Sequence, residues 1–152
     1  MSKDVNQVDE KNNRITMLQL LAQANAWFQT SLLNKFKASG WDTLGNADLN
    51  LLANLNCGST YSSELARRMG VSRQAINKLL KNLVEASLVT LETDPQKGNT
   101  KVIVITETGR ELIMQAISEL DQMEALLQQR IGKTKATALR KALEADWGEP
   151  SS

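Results

Sequence analysis

The sequence predicts a mostly α-helical chain with one small β-wing, and three observations carry that expectation. Residues 62–81, SSELARRMGVSRQAINKLLK, read as two short helices joined at a glycine. Directly after them, LVTLET at 88–93 and TKVIVIT at 100–106 flank the turn-forming run DPQKGN, the pattern of a β-hairpin. On both sides lie long stretches whose apolar residues recur every three or four positions, the period of an amphipathic helix.

In the helical pair, Gly70 is the residue able to take the left-handed conformation that ends the first helix. Val71 is expected as a buried plug, and Ser72 as the cap of the second helix. Counted from Ser62, a small residue stands fifth (Ala66), glycine ninth (Gly70), and aliphatics fifteenth (Ile76) and eighteenth (Leu79). Ala66 permits close helix approach, while Ile76 and Leu79 lock the pair. Leu65, Met69, Leu80 and Leu83 complete a small core, and Arg73, Gln74, Asn77, Lys78 and Lys81 point away from it. A helical hairpin with a glycine cap is the plain alternative. The hairpin that follows at once favours a DNA-reading helix-turn-helix with a wing.

Composition bounds the function. The chain has 152 residues, enough for one domain with a real core. No run approaches the ~18 apolar residues of a membrane span. The polar start, residues 1–13, is expected to be frayed and lacks the apolar core of a signal peptide. One cysteine permits no internal disulfide, which suits a cytoplasmic protein. Net charge is +1, but it is unevenly spread. Residues 1–60 hold five Lys/Arg against five Asp/Glu, 61–101 seven against four, and 102–152 six against eight, giving 0, +3 and −2. The excess falls on the helix-turn-helix and wing, where a polyanion would be met.

Along the chain, a helix over 14–38 carries Met17, Leu21, Ala24, Phe28, Leu32 and Phe36 on one face, widened by Leu18, Leu20 and Trp27. That is more apolar surface than a small lobe needs, so the face is expected to meet a second subunit; burial within one chain is the alternative. A support helix over 46–54 presents Leu49, Leu51, Leu52 and Leu55, and Thr60 is the expected cap of the next helix. The reading helix runs to about Ala86. Lys97 and Lys101 lie at or near the wing tip, within reach of phosphates or the minor groove. Thr106 caps a helix over 107–131 bearing Ile113, Ile117, Leu120, Met123 and Leu127. Gly132 interrupts it before a last helix over 134–147 with Leu139, Leu143 and Trp147.

The order of elements and the stretches SELARRMGVSRQAINKLLKNL, LVTLETDP and VIVITETGREL resemble the MarR family of winged-helix transcription regulators. The resemblance covers residues 15–147, with 63–112 as its specific part. It implies a homodimer that binds double-stranded DNA at a palindromic operator, usually as a repressor, and that a small, often aromatic, ligand can release. It divides the single chain, 1–152, into dimerisation helices at 14–38 and 107–147 and a winged helix-turn-helix DNA-binding part at 46–106. On that basis Ser72 faces a phosphate at the helix start. Arg73, Gln74, Asn77 and Lys78 face bases or adjacent phosphates, and Lys81 faces the backbone. The wing departs from the family: where an Asp-x-Arg tip is usual, Lys97, Gly98 and Asn99 stand here, so the arginine and its bracing aspartate are missing. Ser87 stands where a glycine commonly ends the reading helix.

Other residues carry weaker signals. Cys57 has no resolving partner in the chain and reads as structural rather than redox-active. Trp27, Phe28 and Trp41 are candidates for a ligand pocket between the two parts, with core packing as the alternative. Met17, Met114 and Met123 are expected in packed faces. With no histidine, no phosphate-cradling glycine loop and no cysteine pair, neither an enzyme nor a metal or other cofactor is expected. Glu107, Glu111, Glu119 and Glu124 read as solvated helix positions. A dimeric interaction adaptor with the same fold and weak DNA binding is the alternative function.

Overall fold

The computed structural model describes residues 14–58 and 60–151; the expectation for residues 1–13 lies outside them. The chain is a winged helix-turn-helix: α1 (Met17–Ala38), α2 (Asn46–Asn56), α3 (Ser62–Met69), α4 (Arg73–Glu85), β1 (Val89–Thr93), β2 (Lys101–Ile105), α5 (Glu107–Ile131) and α6 (Lys133–Glu144). Helix starts follow local chemistry. Thr16 and Gln19 form a reciprocal capping box at α1. The Ser72 hydroxyl accepts from the Ala75 amide at α4, and the Thr106 hydroxyl accepts from the Gly109 amide at α5.

Gly70 makes the expected turn at φ 64°, ψ 31°. Val71 is not the expected plug: it is 41% exposed. Its amide instead donates to the Ala66 carbonyl, so backbone bonding closes the turn and frees the side chain from the core. Thr60 does not cap α3 either. The cap position is Tyr61, without a side-chain bond, because the Thr60 carbonyl accepts from the Ile103 amide and joins the chain before α3 to strand β2. The two strands pair antiparallel, Val89 opposite Ile105 and Thr93 opposite Lys101.

The core lies among α2, α3, α4, the base of the wing and the first turns of α5. Leu51, Leu65, Ile76, Leu83 and Leu88 are wholly enclosed there, with Phe36 arriving from α1. The long helices differ. Only Leu32 and Phe36 of α1 are buried, and no residue of α6 is. Met17 and Met114, expected to be packed, are 73% and 65% exposed, since each lies on a face that none of the other described residues covers. The Lys35–Glu119 ion pair at 3.6 Å and a Gln115–Ser39 hydrogen bond tie α1 to α5.

A second tie runs from the end of α4 to the start of α5. After α4, Ser87 takes φ 59°, left-handed backbone that costs a non-glycine residue about 1–2 kcal/mol. Its carbonyl accepts from the Thr106 hydroxyl at 2.6 Å, and the next carbonyl, of Leu88, accepts from the Thr106 amide. Gly109 lies against the same Leu88 carbonyl, where a Cβ would collide with it and with Ile105. Gly109→Ala is therefore expected to destabilise the fold by about 1–3 kcal/mol, the usual penalty of overpacking. Ser87→Gly is expected to stabilise it by up to about 1 kcal/mol, relief of strain outweighing added unfolded-state freedom. Urea unfolding of both variants checks the two signs.

Candidate nucleic-acid interface

Helix α4 is two-sided because its apolar residues fall at helical spacing. Ile76, Leu80 and Leu83 are buried against the core, while Arg73, Gln74, Asn77, Lys78 and Lys81 are all exposed. The structure thus brings these five sequence-identified residues onto one outward face with three cations, which the exposed Glu85 closes at the last turn of the helix. Ser72 is exposed at the head of that face. Such a face suits a polyanion, and its amide and guanidinium groups have the donor and acceptor patterns that read base edges.

The wing stands beside α4, and its tip is fastened by groups that sequence reasoning passed over. Asp94 is buried, with Oδ2 accepting from the Tyr61 hydroxyl at 2.7 Å and Oδ1 from the Gln96 amide at 2.9 Å. The Lys97 ammonium lies 4.3 Å from the Tyr61 ring centroid, a cation–π distance. Asp94 thus braces the wing tip through a tyrosine. Its weak local signal was Asp-Pro at the start of a turn; the partner, 33 residues away, carried none. Lys97 is held at this brace. Lys101 donates from Nζ to Thr93 Oγ1 across the hairpin at 3.1 Å.

The brace shifts both ionisations. The hydrogen bond from Tyr61 holds the Asp94 carboxyl below its ordinary range, helped by the Gln96 amide and the Lys97 charge, against some desolvation. That same hydrogen bond raises the Tyr61 phenol, with burial and the Asp94 charge adding to it.

The aromatic candidates separate. Trp27 and Phe28 meet edge to face at 4.8 Å, and both pack against the core with Trp41. Phe28 also lines an open cavity of about 610 Å³ between α1, α5 and α6, with Leu127, Leu139, Leu143 and Arg140; Trp27 and Trp41 are not in its walls. Arg140 is paired there with Glu124 at 2.6 Å and Glu144 at 3.1 Å. Cys57 is an exposed free thiol. Among the described residues, no cluster of three potential metal ligands occurs and no helix is long and apolar enough to cross a membrane.

The Asp94–Tyr61 bond gives a pH signature. The contribution of Asp94 to stability is full above its unfolded value of about 3.9 and is lost as pH falls through the lower folded value. That of Tyr61 is full below about 10 and is lost as pH rises through the higher folded value. The chain has one tyrosine, so its ultraviolet ionisation curve reports this site alone. The midpoint is expected above the ordinary tyrosine value and is expected to return towards it in Asp94→Asn.

Comparison with known proteins places this geometry. The family model described as MarR family matches residues 47–98, from α2 to the wing tip. Uncharacterised proteins of Mycobacterium tuberculosis and Mycobacterium bovis are each 38% identical over 56 residues, which is 37% of this chain. That match spans only 38% of these curated relatives. Among solved structures, reduced MarR of E. coli aligns with TM-score 0.76 at 17% identity, over 88% of this chain and 97% of that one. The S. aureus MepR–DNA complex aligns with TM-score 0.66 at 19% identity over 86% and 94%. A Mycobacterium tuberculosis MarR family protein in complex with salicylic acid aligns with TM-score 0.68 at 22% identity over 87% and 96%. Matched segment and fold agree: residues 47–98 carry the MarR family pattern, and the chain around them has the winged-helix architecture of MarR family structures.

Proposed function

We propose that the protein is a sequence-specific DNA-binding transcription regulator, acting as a homodimeric repressor on a palindromic operator in the cytoplasm. The observation that carries this reading is the α4 face, on which Arg73, Gln74, Asn77, Lys78 and Lys81 all stand exposed above a buried Ile76–Leu80–Leu83 spine. A helix held so firmly on one side and so polar on the other is built to enter a major groove. Lys97 and Lys101 supply wing charge near the phosphates, with Lys97 short of full reach because the Tyr61 ring holds it.

Dimerisation is supported by the uncovered apolar faces of the long helices: Met17, Leu18 and Leu20 on α1, Met114 and Ile117 on α5, Leu139 and Leu143 on α6, and Trp147 beyond it. Residues 14–38 and 107–147 would then join two copies, each presenting its 46–106 part. Related by a two-fold axis, two α4 helices would enter successive major grooves roughly 34 Å apart. A small aromatic effector is the proposed release signal, and the Phe28 cavity, bounded by apolar side chains, the carboxylates of Asp121, Glu124 and Glu144 and the Arg140 guanidinium that two of them pair, is its proposed berth. No catalytic role is proposed.

The test is binding to a duplex selected by the protein from a random pool. Gln74→Ala is expected to weaken that complex about 5- to 150-fold, from the ~1–3 kcal/mol of a bidentate adenine contact, while leaving binding to scrambled DNA unchanged. Equal loss on both duplexes would remove Gln74 from base reading. Sedimentation of the free protein should give twice the chain mass; a monomer would overturn the dimer.

A further inference from the structure

We infer that the Phe28 cavity between α1, α5 and α6 takes an organic cation with an apolar body, and not an aromatic acid. This rests on the effector reading above and assigns the charge of the effector. At about 610 Å³ the cavity lies within the ~300–1,000 Å³ of sites for drug-sized ligands. Its apolar wall is formed by Phe28, Leu127, Leu139 and Leu143. Trp27 meets Phe28 edge to face at 4.8 Å, so the aromatic ring of the wall is held by a second ring beside it.

The charged wall decides the class of ligand. Asp121, Glu124 and Glu144 set three negative charges against the one positive charge of Arg140, a balance of −2. That guanidinium is already committed, donating to Glu124 at 2.6 Å and to Glu144 at 3.1 Å. Among the described residues, Asp121 makes no ion pair. Leu143 and Glu144 are the last residues of α6, so the negative pole of that helix lies at their end of the cavity. Lys141, the cation of the same turn, is not in the walls. An aromatic acid entering here must break a charge-assisted pair and add a fourth carboxylate to an anionic wall, where like charges repel. A cation meets the reverse: uncompensated carboxylate charge for its head, an aromatic ring for cation–π attraction and leucine side chains for its body.

The test is calorimetric titration of the whole chain with tetraphenylphosphonium and with tetraphenylborate, a cation and an anion of the same shape. The phosphonium is expected to bind saturably and about tenfold tighter than the borate, the preference weakening with salt. Asp121→Asn, at an exposed position, is expected to weaken phosphonium binding about three- to tenfold. Arg140→Gln, which would destroy a site for acids, is expected instead to strengthen it about threefold, by freeing two carboxylates. No phosphonium binding, borate binding as tight, or unchanged affinity in Asp121→Asn overturns the inference. So does loss of phosphonium binding in an Arg140→Gln variant that melts like the parent. A second copy is the rival occupant: if the phosphonium binds only at dilutions where sedimentation finds the chain monomeric, the cavity belongs to a protein interface and the inference falls. Adding the phosphonium to the complex with the selected duplex tests the effector reading separately. Release upholds that reading; binding without release overturns the effector role and leaves the cation site in place.

Discussion

The winged part is fastened to the long helices at a backbone junction, where the carbonyls of Ser87 and Leu88 accept from the hydroxyl and amide of Thr106. The donor is the residue that caps α5, so the end of the reading helix and the start of the longest helix share a single set of bonds. Gly109 brings α5 close enough for this, since only a residue without a Cβ fits against the Leu88 carbonyl. Ser87 accepts left-handed backbone to turn α4 into the wing. A junction that requires one strained residue and one excluded side chain is stiff. The junction therefore ties the end of α4 to the start of α5.

The second constraint is the brace at the wing tip. A two-stranded hairpin alone is only marginally stable, and here it is held at two points: the Ile103 amide bonds to the Thr60 carbonyl at mid-strand, and Asp94 is gripped by Tyr61 at the tip. The chain lacks the arginine that would extend such a wing into a minor groove, and its nearest substitute, Lys97, is drawn back onto the Tyr61 ring. Charge at the wing tip is thus kept beside the start of α3.

What could be read from the sequence was what local chemistry dictates. Gly70 at the turn, Ser72 and Thr106 as caps, the two-sided α4 and the β-branched strands each act within a few residues of where they stand, and each was legible. The misplaced residues were decided by distant partners. Val71 looked like a plug from its apolar character, but backbone bonding closed the turn. Thr60 looked like a cap, but its carbonyl was taken by a strand 43 positions later. Met17 and Met114 looked packed because periodicity marks a face without saying what covers it. The bracing role of Asp94 was invisible for the same reason, its tyrosine lying before α3 and its carboxylate after β1. Ser87 was noticed as a departure from glycine, and the structure shows that it adopts the glycine-like backbone regardless.

The most direct test of the account is a hydroxyl-radical footprint of the protein on its selected duplex. Two stiff reading heads held at fixed spacing by paired long helices should protect two equivalent patches on one face of the duplex, about one helical turn apart and related by a dyad. A single protected patch, or protection without two-fold symmetry, would contradict the claim that the junction and the long helices together present a matched pair of α4 helices.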